Sequence, residues 1–309
     1  MTADIDKDLF ELAPEGYCSE NSLKAAYSTG KKGINPLGKI KGKPVFSLTV
    51  LVVIVLGCVF APYIANHDPS GFYLESLNAA PGGEFIFGTD SLGRDIFSMI
   101  WYGGRVSIFI GLLSMAVITL IGVTYGCVSG ILGGKIDFLM MRAVEMLSSM
   151  PAILLVLLLT SVTGKQNAVK ISFVIGVTGW FGLARIVRGE VLQIRQSEYV
   201  LAARCMGVSF GRIMLIHLIP NFVSSIMFVV VSSISSSITM ESTLSFLGLG
   251  LPVDVISWGS MLSLANKALL MNTWWVIIIP GVFLIVTLSC ITNLGGFLRK
   301  EVNRRHSNL

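Results

Sequence analysis

The chain has 309 residues, 53% of them hydrophobic and only 13% charged, with a mean hydropathy of +0.76. A soluble globular domain carries about 25% charged residues, so these values exclude a disordered chain, a disulfide-built secreted domain and an ordinary soluble enzyme. The formal net charge is +5, and in a membrane chain the placement of positive charge matters more than its sum.

A membrane span needs about 20 apolar residues. Residues 1–43 are acidic at first (Asp4, Asp6, Asp8, Glu11, Glu15) and then lysine-rich. They read as a cytosolic tail whose lysines touch anionic headgroups. The first span occupies 44–64, with its apolar run from Val45 to Ile64. It lies too far from Met1 for a cleavable signal sequence and is expected to stay as an anchor. Residues 65–102 form an outer loop with a short helix. The core, 103–298, holds five more charge-poor runs. These are Val106–Gly134, the stretch between Glu145 and Lys165, Ile171–Leu183 continuing past Arg185, Ile213–Met240, and Ala268–Leu298. Residues 299–309 close the chain as a second cytosolic tail. The expected fold is an all-α integral membrane protein with six transmembrane helices.

Six is even, so both termini face one side. With both termini cytosolic, only Arg94, Arg105, Lys165, Lys170 and Lys267 lie outside. The other 18 of the 23 basic residues fall on inner segments, as the positive-inside rule requires of a multi-pass protein of the cytoplasmic membrane.

Motifs for chemistry are missing. Gly30-Lys31 and Gly134-Lys135 are the nearest approaches to a phosphate-binding loop, and neither has the earlier glycine or the following Ser/Thr. His67, His217 and His306 are far apart, and no HExxH, CxxC or GxSxG string occurs, so no metal site or hydrolase centre is expected.

Three stretches carry function instead. In the outer loop, Thr89 or Asp90 can cap a short helix from Ser91, on which Asp90 and Arg94 stand one turn apart and pair. Such a helix either covers the bundle or receives a delivery protein. On span five, Ser225, Ser232, Ser236 and Thr239 recur at helical spacing, with Glu241 beyond them. They serve either helix packing or a wet, weakly polar path, and a carboxylate at that depth is a functional candidate unless the span has already ended. Between spans four and five, the string from Glu198 to Arg212 sets Ala202 and Ala203 side by side and is interrupted by Gly207 and Gly211. Small residues allow a short helix to approach a partner closely, and glycine allows the chain to turn.

The longer form of that string is specific. Glu198-Tyr199-Val200, Ala202-Ala203-Arg204, Gly207, Ser209, Arg212-Ile213, His217 and Pro220-Asn221 resemble the EAA loop of bacterial ABC importer permeases of the oligopeptide, dipeptide and nickel branch. Leu201 stands where a glutamate is common. Phe87-Gly88-Thr89-Asp90-Ser91-Leu92-Gly93-Arg94-Asp95 and Glu241-Ser242-Thr243-Leu244-Ser245-Phe246-Leu247-Gly248 are similar to strings of the second permease subunit in that branch.

The resemblance implies a type I ABC importer transmembrane domain that moves peptides by alternating access. It implies that Glu198, Ala202, Ala203, Arg204, Gly207, Arg212, His217 and Pro220 form the ATPase-coupling loop. Ser225, Ser232, Ser236, Thr239 and Glu241 then belong to the translocation path, and Asp90, Arg94 and Asp95 to an outer scaffold. The implied partners are a second homologous permease, two ATPase subunits, an external substrate-binding protein and the bilayer, with no nucleic acid. ATP and magnesium are held by the ATPase subunits, and this chain, with no cofactor, is not an enzyme. Two alternatives remain at this stage: the same permease type moving nickel or a metal chelate, and an ion-coupled secondary transporter. The latter needs ionisable residues inside spans, and the span centres are nearly free of them.

Overall fold

A computed structural model describes residues 44–164, 166–198, 200, 205–206, 219–252 and 254–306. Among them every element is helical, apart from one isolated bridge between Thr89 and Asp95. In chain order the helices are α1 (Val45–Val59), α2 (Ala61–Ile64), α3 (Ile96–Leu132), α4 (Gly134–Ser148), α5 (Ala152–Thr163) and α6 (Ala168–Gly179). There follow α7 (Phe181–Arg195), α8 (Ile219–Phe246), α9 (Trp258–Leu262), α10 (Ala265–Leu270) and α11 (Trp275–His306).

Helix α3 is the central strut. Its 37 residues span about 55 Å, well beyond the roughly 30 Å of a hydrocarbon core. Asp95 starts it, its carboxylate accepting from the Ser98 backbone N–H at 2.9 Å and the Ser98 hydroxyl at 2.6 Å. Gly133 and Gly134 end it with φ of 65° and 56°, a left-handed reversal that a side chain would strain. Helices α6, α7 and α8 pack along its length, and α11 packs against α8 and α1.

Three single helices, α3, α8 and α11, are long and apolar enough to cross a membrane. Two further apolar stretches are broken pairs, α4 with α5, bent by 86°, and α6 with α7, bent by 46°, which bring the crossings to five where each pair counts as one span. The first break falls at Pro151, which lacks an N–H and pushes Met150 away from helical geometry. The second falls at the buried Trp180. The stretches expected as spans three and four are therefore interrupted rather than straight helices. Helix α1 has only 15 residues, about 22 Å, and α2 carries its apolar run on to Ile64.

The outer loop also differs from expectation. No helix starts at Ser91, and Asp95 rather than Thr89 or Asp90 caps the helix that follows, which begins at Ile96. Residues 90–93 form a turn closed by the Gly93 N–H on the Asp90 carbonyl at 3.0 Å, with Gly93 at φ 77°. A Cβ at Gly93 would lie 2.3 Å from the Tyr73 carbonyl oxygen, so the turn needs glycine there twice over. The loop is tied to the bundle by the Trp275 indole N–H, which donates to the Thr89 carbonyl at 3.1 Å.

Candidate functional site: a serine-lined cleft and its surroundings

Helix α8 has one small, polar stripe. Ser232, Ser233, Ser236 and Ser237 line an open cleft of about 300 Å³, faced by Ile118 of α3 and by Thr178, Gly182 and Leu183 of α6 and α7. The Ser232 and Ser237 hydroxyls make no hydrogen bond within the protein. A second hollow of about 490 Å³ shares Ala152, Thr178, Gly179 and Gly182 with the first, and extends to Ser148, Ser149 and Arg185. The cleft and this hollow share those four residues as a common wall. The cleft's surface is mostly apolar with scattered hydroxyls, which suits a solute whose backbone seeks hydrogen bonds while its side chains vary.

The residues expected on this path divide. Ser232 and Ser236 line the cleft. Thr239 is exposed but outside the lining, its hydroxyl donating to the Ser235 carbonyl at 2.8 Å. Ser225 lies on α8, with its side chain outside the described residues. Glu241 does not line the cleft. It is five residues past Ser236, and at 3.6 residues per turn that places it about 140° around the helix. There it is fully buried and accepts from Ser257 at 2.8 Å, Ser245 at 2.9 Å and Ser242 at 3.4 Å. It is not a solvated interface residue; it fastens α8 to the start of α9. Ser233, Ser237, Thr178 and Gly182 were missed by the serine spacing, although the i, i+4 relation of Ser233 to Ser237 pointed to a shared stripe.

Asp90 and Arg94 do pair, but within the turn. The Arg94 guanidinium donates from Nε and Nη2 to Asp90 Oδ2, each at 2.8 Å, while Asp90 Oδ1 accepts the backbone N–H groups of Leu92 and Arg94. Asp90, Arg94 and Asp95 are all buried. These charges build the loop and are not presented on its surface.

Of the expected coupling loop, Ala202, Ala203, Arg204, Gly207, Arg212 and His217 lie outside the described residues. Glu198 is helical and exposed, and Val200 is fully buried. Pro220 stands in the first turn of α8, where its missing N–H costs nothing. The arm leading to this segment is α7, held at its middle by an ion pair between Arg188 and Asp137 and at its far end by Arg195 Nη1 donating to the Ile131 carbonyl at 3.0 Å.

Apolar helices long enough to cross a bilayer several times, around an open, hydroxyl-dotted cleft, mark a multi-pass membrane protein. Comparison with known proteins makes the class specific. Residues 122–304 match the family model described as binding-protein-dependent transport system inner membrane component, and residues 44–81 match the N-terminal TM domain of oligopeptide transport permease C. The chain belongs to this family of inner-membrane permease components. It is 39% identical over 256 residues to the dipeptide transport system permease protein DppC of Bacillus subtilis, covering 83% of this chain and 80% of that one. It is also 39% identical to the oligopeptide transport system permease protein OppC of the same organism, covering 83% of each. The OppC of Escherichia coli K12 is 38% identical, over 84% of this chain and 86% of that one. Among solved structures, a chain of the MetNI methionine ABC transporter matches with a TM-score of 0.53 and 16% identity, covering 66% of this chain and 96% of that chain. That likeness establishes the transmembrane fold of an importer of this type.

Proposed function

We propose that this chain is one of two permease subunits of an ATP-driven ABC importer that carries peptides across the cytoplasmic membrane. The carrying observation is the identity to permeases named for dipeptides and oligopeptides over more than four-fifths of the chain. The cleft supports it, since hydroxyls along an apolar wall serve a peptide backbone without selecting side chains. The relatives' names speak for peptides over nickel or a metal chelate.

In this reading the second permease closes the cleft from the other side, and two ATPase subunits bind ATP and magnesium. The segment from Glu198 to Pro220 receives their motion, and an external binding protein delivers the substrate. This chain makes no covalent chemistry and holds no cofactor. Both termini are cytosolic. ATP shifts the population between inward-open and outward-open states because the ATPase pair binds it more tightly in one of them.

The test is uptake by proteoliposomes containing the assembled complex, with binding protein outside. Peptide accumulation driven by enclosed ATP is expected. Accumulation driven by an imposed proton or sodium gradient without ATP would overturn the proposal.

A further inference from the structure

The cytosolic arm of the cleft wall is a continuous close-packed seam. Gly122, Gly126 and Gly130 repeat every fourth residue along α3 and face α7. A Cβ on Gly126 would lie 2.5 Å from the Ala184 carbonyl oxygen. One on Gly122 would lie 3.0 Å from Leu183 Cβ, and one on Gly130 2.9 Å from Val191 Cβ. The two helices therefore meet almost backbone to backbone, as small residues at this spacing allow. Ala184, Val187 and Val191 are fully buried in the seam.

A charged clasp closes the end of the seam. Arg188 donates from Nε to Asp137 Oδ1 and from Nη2 to Asp137 Oδ2, both at 2.6 Å. The Ser129 hydroxyl donates to the same Oδ1. This fork-to-fork geometry is the strong, directional form of an ion pair. It joins the last turn of α3, the first turn of α4 and the middle of α7. Arg195 adds its bond to the Ile131 carbonyl, one of the terminal carbonyls that α3 itself cannot satisfy.

The two ends of the seam have different tasks. At one end Ile118, Gly182 and Leu183 form a wall of the cleft. At the other, α7 ends at Arg195, and a two-residue turn separates it from Glu198, where the proposed coupling segment begins. From Leu183 to Arg195 is about 18 Å of helix. The breaks at Pro151 and Trp180 lie just outside this body, where hinges belong.

We propose that α3 from Ile118 to Ile131 and α7 from Leu183 to Arg195 move as one lever that carries displacement of the coupling segment to the cleft wall, and that the Asp137–Arg188 pair is the positioning clasp that stays closed throughout the cycle. The proposal rests on the reading of residues 198–220 as the ATPase contact.

The complete complex in proteoliposomes tests it, with radiolabelled trialanine as probe. ATP-dependent uptake by the unaltered complex comes first; its absence would count against the functional reading, not the lever. Asp137→Asn and Arg188→Gln should each assemble and hydrolyse ATP while uptake per ATP falls about ten-fold, the size of a broken coupling contact. The exchange variant, Asp137→Arg with Arg188→Asp, should recover most of the loss. In a Cys18→Ser, Cys205→Ser background, Asp137→Cys with Arg188→Cys should transport poorly until a short bis-methanethiosulfonate bridges the two thiols, and poorly again after reduction. Wild-type coupling in both single variants would overturn the proposal. So would arrest of uptake by the bridge, which would mean that the clasp must open. If the single variants fail to assemble, the bridged variant alone decides between these outcomes.

Discussion

Glu241 accepts the Ser257 hydroxyl at 2.8 Å, joining the end of α8 to the cap of α9. Ser257 in turn caps α9 by accepting the Ser260 N–H at 2.9 Å, and the Trp258 indole beside it donates to the Ile100 carbonyl at 3.0 Å. A carboxylate with three hydroxyl donors thus organises a junction of α3, α8 and α9. Glu241→Ala would leave those hydroxyls without their acceptor and open a void. The expected loss is about 1–3 kcal/mol of stability, the cost of stranding buried polar groups. Glu241→Gln should lose less, because a rotating hydroxyl donates equally to the amide oxygen. Thermal unfolding of the purified chain in detergent ranks the two. Equal midpoints for Glu241→Ala and the unaltered chain would contradict the junction.

The turn at Asp90 leads to a different expectation from the one its sequence invites. Arg94 is only 6% exposed and its guanidinium faces Asp90. Asp90→Ala leaves a buried cation alone, which typically costs about 3–5 kcal/mol. The variant should fail by loosening residues 65–95, seen as new protease cleavage there in the isolated chain. A variant that resists protease yet binds its delivery protein less well would return these charges to a docking role.

Much of this architecture was legible in the sequence, and the failures have physical causes. Charge-free runs located the apolar helices because lipid admits few charges. Their straightness was not legible from hydropathy, although Pro151 marked one break. The outer turn was read as a helix because Asp90 and Arg94 have helical spacing. Gly93 between them was the contrary signal, since its positive φ and the carbonyl of Tyr73 at its back exclude a helix. Glu241 was grouped with the serines by proximity in sequence, while the helical angle places it on the opposite side. The glycines at 122, 126 and 130 were visible throughout, but a run measured only for length does not reveal which face it packs.

The cleft reading of α8 is open to a steric test. Ser232 lines the cleft, and its buried, unpartnered hydroxyl lies beside Gly295 of α11, so an indole there cannot be held on that side and must project into the open space. Ser232→Trp should therefore reduce uptake severely while the complex still assembles. Normal uptake by this variant would remove the face from the path. Loss of assembly would favour a packing role for the stripe.

Orientation follows from where the basic residues fall. Cysteines introduced at Ser70 and at Gln166 should react with an impermeant maleimide in intact cells, and one at Ser197 should not. Ser197 lies at the end of the arm that the lever needs on the cytosolic side. Labelling at Ser197 would invert the topology and remove the ATPase contact from the segment that follows it.

The coupling segment carries the last prediction. A joint that transmits force needs a short helix seated in a cleft of the ATPase, with small residues at the contact and a sharp exit. Under the proposed function Ala202 and Ala203 would meet the first requirement and Gly207 the second. Arg204 can pair with a carboxylate on the partner, but an exposed pair contributes at most about 1 kcal/mol. In the proposed joint a side chain at Gly207 would stand between the segment and the ATPase surface. Gly207 should therefore matter more than Arg204. Gly207→Asp is expected to abolish uptake and to release or uncouple the ATPase subunits, with normal insertion in the membrane, while Arg204→Ala keeps most of its activity. Uptake and ATPase co-purification, measured together, separate the alternatives. Loss of uptake with ATPases still bound means that force no longer passes, and loss of both means that the seat itself is gone. Full uptake by Gly207→Asp with bound ATPases would place the joint elsewhere in the chain.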